Sequence, residues 1–155
     1  LIVLATALLA AACASAEPVE GVDPPTPTTS EEMQSFLADS TEPVVVNVWA
    51  SWCTPCIREM ETIEGLKERL ADTDVEFLIV AAEGERPVRR HLRRYSYDLP
   101  IYLEVDRMPA SFGLRGLPTS WVVDRHGRIV LLRHGEAVWD TDEVEAFVRA
   151  VAEAG

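Results

Sequence analysis

The chain has 155 residues and a formal net charge of −12, with 26 acidic against 14 basic side chains. That balance argues against nucleic acid as a partner, which is held by lysine and arginine on phosphates, and against a purely electrostatic hold on anionic membranes. The length suits one compact core, and the 48% of hydrophobic residues can fill it.

Leu1 to Ala12 is apolar apart from Thr6. The run is too short to span a bilayer and is built like the hydrophobic region of a secretory signal, so export is expected. Two endings compete. Ala10-Ala11-Ala12-Cys13 resembles a bacterial lipobox, which makes Cys13 a lipid attachment point, whereas Ala14-Ser15-Ala16 fits a signal-peptidase site and would discard Cys13. The lipobox is preferred because it accounts for an odd cysteine in an exported chain. Residues 1–16 are thus a signal or lipoprotein signal, and the membrane is expected as a partner only through such an anchor. Residues 17–29 carry Pro18, Pro24, Pro25 and Pro27 among threonines and acids, and they read as an extended spacer.

Ser30 is expected to cap a helix through Met33, Phe36 and Leu37. Val44 to Trp49 is β-branched and almost continuously apolar, the pattern of a strand covered on both faces. Next comes Ala50-Ser51-Trp52-Cys53-Thr54-Pro55-Cys56, a Cys-x-x-Cys pair at the mouth of a helix. Unpaired N–H groups and the helix dipole stabilise a thiolate there, and the thiolate is the species that attacks disulfides. Cys53 is therefore the expected nucleophile. Cys56, one turn deeper, is placed to resolve the mixed disulfide. Pro55 suits the first helical turn.

Zinc would need four ligands, yet there is no second Cys-x-x-Cys, and His91, His126 and His134 lack ligand spacing. No metal or cofactor is expected. A purely structural bridge across so short a loop would constrain little of the unfolded chain. A redox dithiol is the remaining reading.

The helix after Cys53 places Cys56, Met60, Ile63 and Leu70 on one stripe, with Glu59, Glu61, Glu64 and Lys67 expected mostly elsewhere. Val75 to Ala82 reads as a second buried strand, completing a right-handed βαβ unit with parallel pairing. Arg86, Arg89, Arg90, Arg93 and Arg94 fall on one side of the following helix and Val88, Leu92 and Tyr95 on the other. Ile101 to Val105 is a short strand. Ser120 to Asp124 and Arg128 to Leu132 flank Arg125-His126-Gly127, an antiparallel hairpin with glycine where φ is positive. Asp140 with Glu143 is the expected cap of a closing helix whose core face is Val144, Phe147, Val148 and Val151.

With Val46-Asn47-Val48-Trp49-Ala50-Ser51-Trp52-Cys53-Thr54-Pro55-Cys56, Gly116-Leu117-Pro118-Thr119 and the Asp124-to-Ile129 hairpin in this order, the chain resembles the thioredoxin-fold thiol:disulfide oxidoreductases, in particular their exported TlpA/ResA/CcmG branch. The resemblance implies an α/β thioredoxin fold over residues 30–155, with a central mixed sheet built as βαβ, an inserted helix and strand, then ββα. It implies that Pro118 follows a cis peptide bond beside the dithiol and that Leu117 offers its backbone to an extended substrate. It also implies that Glu83, at the end of the second strand, exchanges a proton with Cys56, because Asn47 stands where cytosolic thioredoxins carry an acid. Trp52 should shape the docking surface and Trp49 should be core.

The expected partners are a disulfide in an exported protein and a membrane thiol:disulfide electron donor, at the extracytoplasmic face of a bacterial membrane or in the periplasm. Reduction is favoured by the resemblance, while a disulfide-forming oxidase has the same residues and a non-catalytic binding module could use the Leu117-Pro118 groove. Across the fold the potential ranges from about −120 to −270 mV, so the Thr54-Pro55 dipeptide leaves the direction open.

Overall fold

The computed structural model describes residues 26–104, 106 and 113–154. Ten elements follow in order: β1 (Thr26–Thr28), α1 (Ser30–Asp39), β2 (Val44–Trp49), α2 (Thr54–Arg69), β3 (Glu76–Ala81), α3 (Glu85–Leu92), β4 (Ile101–Glu104), β5 (Thr119–Val123), β6 (Ile129–His134) and α4 (Asp142–Glu153). The strands form one sheet in the order β1-β4-β3-β2-β5-β6. The four from β1 to β2 are mutually parallel, β5 is antiparallel to β2, and β6 is antiparallel to β5. This is the expected α/β thioredoxin architecture.

β2 sits inside the sheet with all six residues buried. Val44, Val46 and Val48 face α1, packing with Met33, Leu37, Leu78, Val80 and Trp121. Val45 and Trp49 face the opposite layer, where Met60, Ile63 and Leu66 of α2, Val88 and Leu92 of α3 and Val148 of α4 close the core. The near-continuous apolar run in β2 is thus the product of two covered faces, each valine contributing roughly 1.5–3 kcal/mol by leaving water.

Several local expectations shift. β1, inside the presumed spacer, pairs in parallel with β4 at the sheet edge, where a proline such as Pro27 is tolerated. The cap of α1 is Thr29, one residue before Ser30, and it forms a reciprocal capping box with Glu32, while Ser30 binds Asp106 instead. Thr141, one residue after Asp140, caps α4. α3 ends at Leu92, so Tyr95 has left the helical phase and is exposed. Phe147 is likewise largely outside the core. Val105 lies outside the described residues, as does the whole segment 1–25 with Cys13.

The β5–β6 hairpin is held by Asp124. Gly127 takes φ +73°, and the Asp124 carboxylate accepts from the backbone N–H groups of His126 and Arg128 and from the Arg128 guanidinium. Burial alone would raise this carboxyl, but those donors outweigh it and hold it below its ordinary value. A depressed carboxyl contributes stability that is present above the unfolded-state value and lost as pH falls through the folded one. Asp124→Ala should therefore lower unfolding free energy by about 1–3 kcal/mol at neutral pH. In urea titrations repeated in acid, the gap between variant and wild type should close. A gap that persists in acid would assign the effect to packing instead.

Candidate active site

The end of β2 delivers the chain into the loop Ala50–Trp52, and Cys53 becomes the N-cap of α2. The Cys53 N–H donates to Ala50 O at 3.0 Å, and the Ile57 N–H donates to Cys53 O at 3.1 Å. The Cys56 N–H points at Cys53 Sγ, 3.3 Å away. The sulfur thus occupies the place of a capping acceptor at the positive end of the helix, where negative charge is stabilised. Cys53 and Cys56 are joined in a disulfide. Both are buried, but unequally: Cys53 is 6% exposed and Cys56 is 1% exposed, so an external sulfur meets Cys53 first. Trp52, next to Cys53 in the chain, is 70% exposed, and Trp49 is fully buried, as expected of a core side chain.

The second wall comes from β5. The register pairs Val48 with Thr119, so Leu117 and Pro118 enter the sheet at the edge from which the cysteine loop leaves. The Leu117–Pro118 bond is cis, as the resemblance implied. Pro118 is buried and its carbonyl accepts from the Gly135 N–H at 2.9 Å, while Thr119 Oγ1 donates to Gly116 O at 2.6 Å. Leu117 is half-buried and packs against both halves of the core.

Glu83 follows the end of β3, in register beside the end of β2. Its carboxylate accepts a hydrogen bond from the Ser51 N–H, in the loop just ahead of the cysteines. Nearby, His91 is buried against Trp49 and stacked on Tyr95, and its Nε2 lies 3.0 Å from the Tyr97 hydroxyl. Burial holds the imidazole below its usual pKa, with Glu83 pulling weakly the other way. Burial also pushes the Tyr97 phenol up to about 12. The histidine is therefore a neutral aromatic brace near neutral pH.

The residue that sequence reasoning missed is Glu59. It was expected off the buried stripe of α2, yet it is 1% exposed, one turn beyond Cys56. Its Oε1 accepts from Trp139 Nε1 at 2.5 Å and from Ser120 Oγ at 3.0 Å. Asn47 Nδ2 in turn donates to Ser120 Oγ at 2.9 Å, so the asparagine of β2 is tied to the same network. Glu59 Oε2 has no hydrogen-bond partner among the described residues. Burial raises the carboxyl above its ordinary value, only partly offset by the Trp139 and Ser120 donors. A buried acid with a raised pKa, one turn from a thiol that must gain and lose a proton, is suited to general acid–base work. Its signal in the sequence was the i+3 spacing from Cys56, which shares a helical face.

The Redoxin family profile matches residues 24–148. Among curated proteins the chain is similar to thiol-disulfide oxidoreductase ResA of Halalkalibacterium halodurans, 35% identical over 94 residues, which are 59% of this chain and 53% of that protein. The chain thus spans about half the length of that relative. Among solved structures it is similar to a thiol:disulfide interchange protein of the thioredoxin family from Chlorobium tepidum, with TM-score 0.59 and 22% identity over 78% of this chain and 83% of that one. It is also similar to the exposed lipoprotein thioredoxin Etrx1 of Streptococcus pneumoniae, with TM-score 0.58 and 22% identity over 76% and 89% of the two chains. At these identities the two structures speak to the fold.

Proposed function

This chain belongs to the Redoxin family, and from that premise we propose that it is a thiol:disulfide oxidoreductase that reduces disulfides in exported proteins through Cys53 and Cys56. The observation that carries this reading is the Cys53–Cys56 disulfide at the N-cap of α2, with Cys53 Sγ facing the Cys56 N–H. The name of the ResA relative points the same way.

In the reduced form, the Cys53 thiolate attacks one sulfur of the client disulfide. A mixed disulfide forms, and the departing client sulfur leaves as a thiolate that takes a proton from solvent. Cys56 then loses its proton and attacks Cys53 Sγ, which breaks the mixed bond and releases the second client thiolate. The client has gained two electrons and the Cys53–Cys56 disulfide has been formed, to be reduced again by a membrane dithiol donor. Glu59 is the group we assign to accept the Cys56 proton. Glu83 is assigned a positioning role, holding the loop through Ser51, which moves the proton-transfer duty first expected of Glu83 to Glu59. Trp52, Leu117 and Pro118 frame the docking surface, where the Leu117 backbone can pair with an extended client segment.

Export and attachment through Cys13 form part of the same proposal. They rest on the apolar run Leu1 to Ala12 and the Ala10-Ala11-Ala12-Cys13 motif, and the lipoprotein named among the similar structures is consistent with them. Thiol trapping of Cys53 and Cys56 across a series of dithiol buffers tests the direction of electron flow. A midpoint below about −220 mV is expected for a reductant, and a value near −120 mV would reverse the direction to disulfide formation. Absence of a disulfide at any poise would replace catalysis with simple binding.

A further inference from the structure

In a chain with 26 acidic and 14 basic residues, acidic partners are plentiful, and outside α3 and the turn after it only Arg115 and Arg133 lack an ion pair among the described residues. Arg58, Arg69, Arg125, Arg128, Arg149 and Lys67 all lie in ion pairs. α3 and the turn after it depart from this. Arg89 is held by Glu85 within the helix. Arg86, Arg90, Arg93 and Arg94 are exposed and have no ion pair or side-chain hydrogen bond among the described residues.

These four guanidinium groups border two clefts. One, of about 400 Å³, runs along Glu85, Arg86, Arg89, Arg90 and Arg93, with the Glu85 carboxylate paired to Arg89. The other, of about 270 Å³, has Arg90, Arg94, His91 and Tyr95 on one side and Ser51 and Ile57 on the other. Arg90 belongs to both, so the basic surface reaches the redox loop without a break. Ser51 stands two residues before Cys53, and Ile57 directly follows Cys56. Whatever occupies the smaller cleft therefore touches the segments that flank the disulfide on both sides in sequence.

The geometry points to a substrate subsite: the Arg90–Arg94 cleft and its extension along Arg86 and Arg93 receive an acidic segment flanking the cysteines of the client protein. Guanidinium forks bind carboxylates in a bidentate manner, which fits glutamate and aspartate side chains. A short peptide lying within a Debye length of about 10 Å senses these local arginines. A bilayer is an extended plane that also meets the field of the whole chain, whose net charge is −12, so an anionic membrane is the less favoured occupant.

This inference rests on the redox reading above, and its test separates the two. The reduced full chain is reacted with two disulfide peptides that share one cysteine spacing, one flanked by glutamates and the other by glutamines, and also with 2-hydroxyethyl disulfide. The acidic peptide should react roughly tenfold faster than the neutral one at about 0.1 M salt, the lower end of electrostatic steering, with the ratio falling toward one as salt is raised to about 1 M. In Arg90→Glu/Arg94→Glu the ratio should drop to about one or invert. Equal rates for the two peptides in the wild type would overturn the subsite. So would binding to phosphatidylglycerol vesicles, or a dimer in sedimentation, that the double substitution abolishes while the peptide ratio stays unchanged. Failure to reduce 2-hydroxyethyl disulfide would instead overturn the reductant reading on which the subsite rests.

Discussion

Cys53→Ser is expected to reduce disulfide exchange to the uncatalysed background, whereas Cys56→Ser should retain the first attack and strand the chain as a covalent adduct with its client. The asymmetry follows from the site. Cys53 caps α2 and is the more accessible sulfur, while Cys56 is nearly sealed at 1% exposure, so a client meets position 53 first. A serine hydroxyl is not ionised near neutral pH, and no nucleophile remains there. With Cys56 replaced, the internal attack that clears the mixed disulfide is lost. An external thiol is a poor substitute for a group held at high effective molarity. Mass spectrometry after reaction with a disulfide peptide should find chain plus one peptide strand for Cys56→Ser and no adduct for Cys53→Ser. The reverse pattern would exchange the two roles.

How much of this was legible in the sequence depended on whether the relevant contacts are local. β2 announced itself because burial on both faces demands an unbroken β-branched run, and the β5–β6 hairpin because Gly127 supplies the positive φ its turn needs. The Cys53 N-cap was readable for the same reason: the strand, the dithiol and the first turn of the helix lie within a dozen or so consecutive positions. The cis bond before Pro118 came from resemblance, since a proline at the start of a strand is compatible with either isomer.

What escaped depends on distant partners. β1 is three residues of apparent spacer, made into a strand only by β4, more than seventy positions later. Glu59 looked like one more acid on a polar face until Ser120 and Trp139, which are 61 and 80 residues away in sequence, closed over it. The two cap positions each missed by one residue, because Thr29 and Ser30, like Asp140 and Thr141, are adjacent residues equally able to cap and only the path of the entering chain chooses between them. Glu83 was placed at the right end of β3, but its partner is the Ser51 backbone, which no side-chain pattern could announce.

Glu59→Gln should make the protein more stable and a slower catalyst, and the two effects together identify what the buried acid does. Because burial raises this carboxyl, the folded state holds a proton that the unfolded state has released in the pH range between the two values. The favourable contribution is thus fully present below the unfolded value and lost as pH rises through the folded one. Glutamine keeps an acceptor for Trp139 and Ser120 while removing the charge. Unfolding free energy at alkaline pH should rise by about 1–3 kcal/mol, trimmed by an amide nitrogen placed where Oε2 has no partner. Glu59→Leu, by contrast, leaves both donors unsatisfied and should lose about 1–3 kcal/mol. If Glu59 accepts the Cys56 proton, Glu59→Gln should also slow release of the mixed disulfide by about 10²-fold, the lower end for general acid–base catalysis, and flatten its pH profile. Urea unfolding across pH and single-turnover release of a trapped peptide measure the two effects separately. A stability gain with unchanged release would confine Glu59 to a structural network shared with Asn47 and Ser120. A gain accompanied by slow, pH-independent release would mean that the core retains a destabilising charge because the resolving thiol requires it.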